Sequence, residues 1–238
     1  MAQVVTSSLL SPILTTRFSK LEVLGASSGL IWLALDGHSL TIQQVAPDSQ
    51  LALPTSIFFA ADAALATEEI SLRGGRLTLG GTPLQITRWW RPPRAWLVHW
   101  PATFSSAPAI DPLLGLGNGL TPEGDDLLAG WLVAARSISH PEFETIRAEV
   151  LTKSHTKTTT FSATLLECAG QGYGVAPLID YVNARLQGLS NVLAVREHLS
   201  RVGHTSGEAL AIGVDTALGL VDYRLNFSRF NRLEGAIA

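Results

Sequence analysis

The sequence contains a single cysteine, Cys168, and lacks any apolar run long enough to cross a membrane. One cysteine excludes an internal disulfide framework and a metal site made of cysteines. Cys168 lies in an apolar helical pattern, SATLLECAG, so we expect a buried, unreactive thiol. A membrane span needs about 18 consecutive apolar residues, and a signal peptide needs a basic start, an apolar core and a small-residue cleavage site. Neither pattern is present, which predicts a cytoplasmic protein outside the membrane.

Charge of neither sign is abundant in the chain. Its 238 residues include 17 Lys and Arg against 20 Asp and Glu, for a formal net charge of −3. This weakly acidic balance argues against nucleic acid as a partner, because phosphate binding needs a basic surface. Hydrophobic residues make up 46% of the chain, and the mean hydropathy is +0.24. We expect a globular protein whose excess apolar surface lies in a thick core or against other protein subunits.

The first part of the chain, residues 1–108, carries short alternating apolar stretches such as GLIWLALD, HSLTIQQVAP and GRLTLGGTPLQITRWW. The dipeptides Asp36-Gly37, Gly74-Gly75 and Gly80-Gly81 separate these stretches, as expected for hairpin turns. The pattern predicts an antiparallel β-barrel or sandwich of about six to eight strands.

After residue 108 the apolar period lengthens, which predicts a helical C-terminal domain over 109–238. The segment PATFSSAPAIDP, residues 101–112, holds the expected boundary, so the predicted fold class is α+β. Several of the predicted helices end at glycine; they cover about 121–138, 141–154, 158–171, 175–187, 189–202 and 205–221.

The segment GLGNGLTPEGDD, residues 115–126, combines a glycine-rich loop with the predicted start of a helix. Thr121 is expected as the N-cap and Pro122 at the first helical position. Free N–H groups at such a helix end bind phosphate or carboxylate; the candidate residues are Gly117, Asn118, Gly119 and Thr121. The spacing matches neither a phosphate-binding loop of nucleotidases nor a dinucleotide fingerprint.

The carboxylates of this segment would repel an anion unless a cation or protons intervene. Asp125 or Asp126 could hold a divalent ion such as Mg²⁺, which prefers oxygen ligands. The alternative is that these acids only neutralise the positive end of the helix. Composition does not decide between the two interpretations.

Two later segments place hydroxyl groups before apolar helices. In HTKTTTFSATLL, Thr158 and Ser162 fall four residues apart on one helix face, and Thr159 lies between them. These hydroxyls could bind an anion or simply cap the helix. In RVGHTSGEALAIG, the candidates Thr205, Ser206 and Gly207 follow His204. His204 could act as a general acid or base, although a histidine beside a cap is often structural.

The segments GLGNGLTPEGDDLLAG, TTTFSATLL and GHTSG, in this order, resemble a bacterial family typified by the AllH subunit of oxamate carbamoyltransferase. The resemblance implies a protein of allantoin and oxalurate breakdown that works with other subunits. It also implies small anionic substrates, with oxalurate and phosphate converted to oxamate and carbamoyl phosphate. The sequence departs from the family pattern after Gly207, where Glu208-Ala209 stands in place of an aromatic residue and Asp.

We therefore hypothesise that the three segments meet around one small anion. His204 would transfer a proton, Asp125 or Asp126 would hold a cation or orient a loop, and backbone amides and hydroxyls would bind the substrate. The rival hypothesis is a non-catalytic subunit that binds a small acid or only braces a complex.

A further segment, RWWRPPRAW at residues 88–96, interleaves arginine with tryptophan. Such a pattern could stack nucleic-acid bases. Residues 109–238 hold 10 Lys and Arg against 14 Asp and Glu, and this acidic balance favours instead a strand edge that packs against another subunit.

Overall fold

The N-terminal half forms an open six-stranded sheet and a smaller three-stranded sheet. This computed structural model describes residues 4–27, 29–44, 52–59, 67–100, 104 and 106–222. The larger sheet has the order β2-β3-β4-β5-β1-β9, with strands β1 Val4–Ser7, β2 Leu21–Ser27, β3 Leu30–Leu35, β4 His38–Gln43, β5 Ser56–Phe59 and β9 Arg88–Trp90. The smaller has the order β6-β7-β8, with β6 Ile70–Arg73, β7 Arg76–Leu79 and β8 Thr82–Pro83.

The hairpin turns predicted from the glycine dipeptides are all present. Asp36 and Gly37 connect β3 to β4 with φ of 48° and 86°, as a type I′ turn requires. Gly74-Gly75 and Gly80-Gly81 connect the strands of the smaller sheet, again with positive φ. The local signals therefore located the turns correctly.

The larger sheet is mixed rather than purely antiparallel. Strand β4 pairs with β5 in parallel, and β1 pairs with β9 in parallel. The described residues form no closed barrel, since β2 and β9 are the two edges of the sheet. The α+β class is confirmed, but the predicted closed or antiparallel arrangement is corrected. The β1–β9 pair joins segments distant in sequence, and β4 and β5 are separated by a 12-residue connection; alternating hydrophobicity reveals neither parallel pairing.

Six helices follow, each at a predicted position: α2 Glu123–Ser137, α3 Phe143–Lys157, α4 Thr160–Gly170, α5 Ala176–Gln187, α6 Val192–Ser200 and α7 Ser206–Ala217. A short helix, α1 Ser11–Leu14, lies in the N-terminal half. The predicted N-cap Thr121 is wrong by one residue, because Pro122 occupies that position with φ −54° and ψ 142°. Pro122 is therefore the residue before the helix rather than its first residue.

Helices α2 and α7 cross at the centre of the helical half. Gly130 and Gly213 allow this close approach, since a Cβ atom would lie 2.1 Å from the Leu210 carbonyl oxygen and 2.0 Å from that of Leu127, respectively. Trp131, at the centre of α2, is fully buried in the surrounding core. The free thiol of Cys168 is buried as expected, and burial raises its pKa to about 12.

The segment 91–100 follows β9 and packs against the helices. The Ala95 amide donates to the Gly172 carbonyl at 3.0 Å, and the Val98 amide donates to that of Ser137 at 2.9 Å. Ala95 is part of the helical core, and Trp100 packs against it. Residues 101–103 and 105 of the predicted linker, and 223–238 of the predicted helical domain, lie outside the described residues. No helix within the described part of the chain is long and apolar enough to cross a membrane.

Candidate functional site

Asp125, in the first turn of α2, joins three segments of the chain. Its side chain is buried, with 1% of its surface exposed. The Gly115 amide donates to Oδ1 at 2.7 Å. On the other oxygen, Oδ2, hydrogen bonds come from the hydroxyl groups of Thr158 and, at 2.6 Å, Ser162. The carboxylate thus links the glycine-rich loop to the junction of α3 and α4.

The backbone at Gly115 passes directly against the end of α3. Gly115 has φ of 79°, and a Cβ atom there would lie 2.1 Å from the Lys157 carbonyl oxygen. The neighbouring Thr159 hydroxyl donates to the Leu120 carbonyl at 2.6 Å and accepts from the Ser162 amide at 3.0 Å. Thr158, Thr159 and Ser162 therefore use their hydroxyls within the protein.

Asp126 has different surroundings, although it is the next residue. It is 7% exposed, and its Oδ2 atom has no hydrogen-bond partner among the described residues. Burial raises the pKa of Asp126 to about 7, and the nearby charges of Asp125 and Glu123 act in the same direction. Hydrogen bonds from the hydroxyls of Ser206 and Thr121 oppose this rise in the pKa.

Asp126 lines a cavity of about 420 Å³ between the larger sheet and the helices. Trp32 of β3 and Phe161 of α4 form part of its wall, with ring centroids 6.2 Å apart in an edge-to-face arrangement. The remaining wall is mainly apolar and includes Leu30, Leu165, Leu178, Val202 and Leu210. The described lining contains no lysine, arginine or histidine.

The first and third motifs meet at the polar corner of this cavity. The hydroxyl oxygens of Thr121 and Ser206 are 3.3 Å apart, and both residues line the cavity with Asp126. We refer to Thr121, Asp126 and Ser206 as the polar corner. A carboxyl group of raised pKa between two hydroxyls can exchange a proton with a bound molecule near neutral pH.

Several predicted residues lie elsewhere. Asn118, Gly119 and His204 are exposed and absent from the cavity lining. Thr205 is the N-cap of α7, without a capping bond from its side chain. Gly207 closes the turn before α7: its amide donates to the Val202 carbonyl at 2.9 Å, and a Cβ atom would lie 1.9 Å from the Leu199 carbonyl oxygen.

The backbone donors at the start of α2 are also largely occupied. The Gly124 amide donates to the Leu116 carbonyl at 2.9 Å, and the amides of Asp125 and Asp126 donate to the Pro122 carbonyl. Gly117 has φ of 109° and lies against this helix start. A Cβ atom added to Gly117 would lie only 2.9 Å from the Glu123 amide nitrogen. An anion at this helix end would therefore meet fewer free N–H groups than the sequence predicts.

The described residues contain no group of three or more His, Cys, Asp or Glu placed to hold a metal ion. Both oxygens of Asp125 already accept hydrogen bonds from the chain. Asp126 retains one unpaired oxygen, but Asp125 supplies no free oxygen beside it. A Mg²⁺ ion here would have one free carboxylate oxygen from these two acids and would take water or substrate oxygens as its other ligands.

The sequence did not reveal the cavity wall. Trp32 and Phe161 lie in patterns typical of an ordinary strand and helix core, and no local signal marks them as cavity residues. The Trp32 Nε1 atom is buried and, like Asp126 Oδ2, has no partner among the described residues. Five further side-chain atoms of the described residues share this property, among them the Nε1 atoms of Trp100 and Trp131.

The family described as oxamate carbamoyltransferase subunit AllH matches residues 113–218. The matched segment begins just before the glycine-rich loop, ends just after α7 and contains all three motifs. The resemblance inferred from those motifs is thereby confirmed for this segment. No solved structure matches the chain.

Proposed function

We propose that this chain, whose residues 113–218 match the oxamate carbamoyltransferase subunit family, is a subunit of a complex that transfers a carbamoyl group between small acids. The observation that carries the proposal is the polar corner. It lies inside the matched segment and combines two hydroxyls with a carboxyl whose pKa is near neutral.

The polar corner suits the proton transfer that this reaction needs. Phosphorolysis of oxalurate breaks the bond between the carbamoyl carbon and the oxamate nitrogen, and forms a bond from that carbon to a phosphate oxygen. The leaving nitrogen must gain a proton, and the attacking phosphate must lose one. In our proposal Asp126 donates the first proton and recovers the second, because its raised pKa allows both steps near pH 7.

The two hydroxyls would act on the carbonyl oxygen of the carbamoyl group. Negative charge develops on that oxygen when phosphate attacks the carbon, and fixed donors stabilise such charge. The Thr121 and Ser206 hydroxyls are 3.3 Å apart, so one donates to the other and the second would donate to this carbonyl oxygen. The phosphate and the carboxylate of oxalurate would stay at the solvent-exposed side of the corner, because the cavity lining offers them no cationic side chain. Asn118, Gly119 and His204 are exposed residues outside that lining, and in our proposal they would contact these charged groups.

A second candidate function is a non-catalytic subunit that binds a small acid while a partner chain performs the chemistry. The exposed position of His204, outside the cavity lining, favours this alternative. Asp125 also favours this alternative, because it is occupied by hydrogen bonds from Thr158 and Ser162 inside the protein. Under this alternative the polar corner recognises the ligand and transfers no proton.

The test is carbamoyl phosphate formation by the reconstituted complex with an Asp126→Asn subunit. Loss of the proton donor should lower the turnover rate about 100-fold or more, with little change in the amount of complex formed. Asp180→Asn is the matched control, since Asp180 is an exposed acid outside the cavity lining. Full activity of Asp126→Asn would reject the catalytic role and leave the binding role.

A further inference from the structure

The cavity beside the polar corner is larger and less polar than a small dianion needs. Its volume of about 420 Å³ lies within the range of cavities that hold medium-sized organic ligands. Trp32, Phe161, Leu178 and Leu210 form broad apolar surfaces on several sides. Oxamate and phosphate could contact only the polar corner and would leave most of this wall without a partner.

The charges around the cavity disfavour an anion inside it. The described lining contains no cationic side chain. The charged groups that act on Asp126 are Asp125 and Glu123 from its own helix, and Tyr173 is the other titratable residue in the described lining. An ionised ligand would lose its hydration without gaining an ion pair, which is unfavourable.

Two unpaired polar atoms belong to residues of the same wall. Asp126 Oδ2 and Trp32 Nε1 are both buried without a hydrogen-bond partner among the described residues. Both residues line the cavity. Both atoms have almost no accessible surface, so a bound ligand would place its hydrogen-bonding group at the accessible part of the polar corner while its remainder covers apolar side chains.

We propose that this cavity binds an uncharged amide or urea that carries an apolar body. The inference rests on the proposed function in one respect, because a carbamoyl group is itself such a head. It differs from the proposed substrate in the rest of the ligand, which is apolar here, whereas the rest of oxalurate is an ionised acid. The carbonyl oxygen of the head accepts from neutral Asp126, and its N–H groups donate when Asp126 is ionised.

The test compares two probes of equal size, 3-phenylpropanamide and 3-phenylpropanoate. Their dissociation constants for the full chain are measured by calorimetry at about pH 6 and about pH 8. The amide should bind at least about ten times more tightly than the carboxylate at pH 8, where Asp126 is largely ionised and repels a second negative charge. Equal affinity of the two probes at pH 8, or binding of neither, would overturn the proposal.

Two substitutions identify the residue responsible. Asp126→Leu removes the polar group and should weaken binding of the amide at least about tenfold. Asp126→Asn keeps an N–H donor without a charge, so the affinity for the carboxylate should no longer fall between pH 6 and pH 8. Asp180→Asn should behave like the unchanged protein, and amide binding unaffected by Asp126→Leu would contradict the assignment.

The outcomes separate this inference from the proposed function. A complex that forms carbamoyl phosphate, although the chain binds neither probe, would reject the apolar ligand and retain the proposed function. Tight amide binding without carbamoyl phosphate formation would support the ligand class and reject the transferase role.

Discussion

At the scale of single residues, Asp125 and Asp126 show how adjacent carboxylates acquire different roles. Successive residues of a helix point to different faces. Asp125 meets hydroxyls from residues 33 and 37 positions later in the chain, whereas Asp126 meets the cavity. The motif identified both acids as candidates. It could not separate them, because the groups that satisfy Asp125 come from a distant helix junction.

Asp126→Asn should change how stability depends on pH. The folded protein retains a proton on Asp126 up to about pH 7, whereas the unfolded chain releases it near the ordinary value of 3.8. The contribution of this residue to the free energy of unfolding is therefore fully present below about pH 4 and falls as the pH rises through about 7. The side chain of Asp126→Asn cannot ionise, so the free energy of unfolding of this variant does not fall in this way. Relative to wild type it should gain on the order of a few kcal/mol between about pH 5 and pH 8.

Urea unfolding of both proteins at the two pH values measures this difference. Asp180→Asn, which removes an exposed acid, serves as the control for a general change in charge. Parallel pH profiles for wild type and Asp126→Asn would show that the buried carboxyl ionises normally in the folded protein.

Asp125→Ala should destabilise the fold because it leaves three donors without an acceptor, the Gly115 amide and the hydroxyls of Thr158 and Ser162. The expected loss is about 3 kcal/mol or more, since each buried unpaired group costs about 1 to 3 kcal/mol. Chemical denaturation measures it. Asp125→Asn retains one acceptor oxygen and should lose less stability. An alanine variant as stable as wild type would show that the hydrogen bonds of Asp125 do not hold the three segments together.

At the scale of elements, local sequence signals located the helices and the hairpin turns well. Helix α5 ends at Gly188, which has φ of 62° and forms the predicted glycine cap. The strand β9 is a sheet edge, as the RWWRPPRAW segment predicted. Trp96 and Leu97, six and seven residues after the end of β9, are 58% and 63% exposed, and their packing against another subunit stays a prediction. Sheet order was not predictable, because strand neighbours such as β1 and β9 are far apart in the chain.

Gly130→Ala should separate α2 from α7. The added methyl group would lie 2.1 Å from the Leu210 carbonyl oxygen, and neither backbone can move without disturbing the core. The expected loss of unfolding free energy is about 1 to 3 kcal/mol or more. Thermal or urea unfolding tests this expectation.

Gly170→Ala is the matched control within a helix. Its Cβ atom would meet the side chain of Arg147, which is long enough to move away. Equal stability of the two variants would show that the helices tolerate a wider separation.

At the scale of the whole molecule, the cavity exists because the sheet and the helical half face one another. Its wall takes Trp32 from β3, Asp126 from α2 and Phe161 from α4. Each of these residues has an ordinary local pattern. The sequence predicted two regions of different structure. It did not predict the cavity between them, because that cavity depends on how the two regions pack.

The domain boundary at residue 108 stays a prediction, and fragments of the chain can test it. A fragment of residues 91–238 should unfold at a higher denaturant concentration than one of residues 109–238. The longer fragment keeps Ala95, Val98 and Trp100, which pack on the helical core. Equal midpoints for the two fragments would support a helical domain that is complete from residue 109.

Because the Asp126 carboxyl is buried, the binding of a ligand in the cavity is coupled to the uptake of protons from the surrounding solution. A guest that displaces remaining solvent makes the site less polar, so the carboxyl holds its hydrogen more firmly. Near neutrality, association would then draw protons from the buffer, and the heat released would vary with the ionisation enthalpy of that buffer. Mild acidification would strengthen the complex in the same way as a higher concentration of the guest.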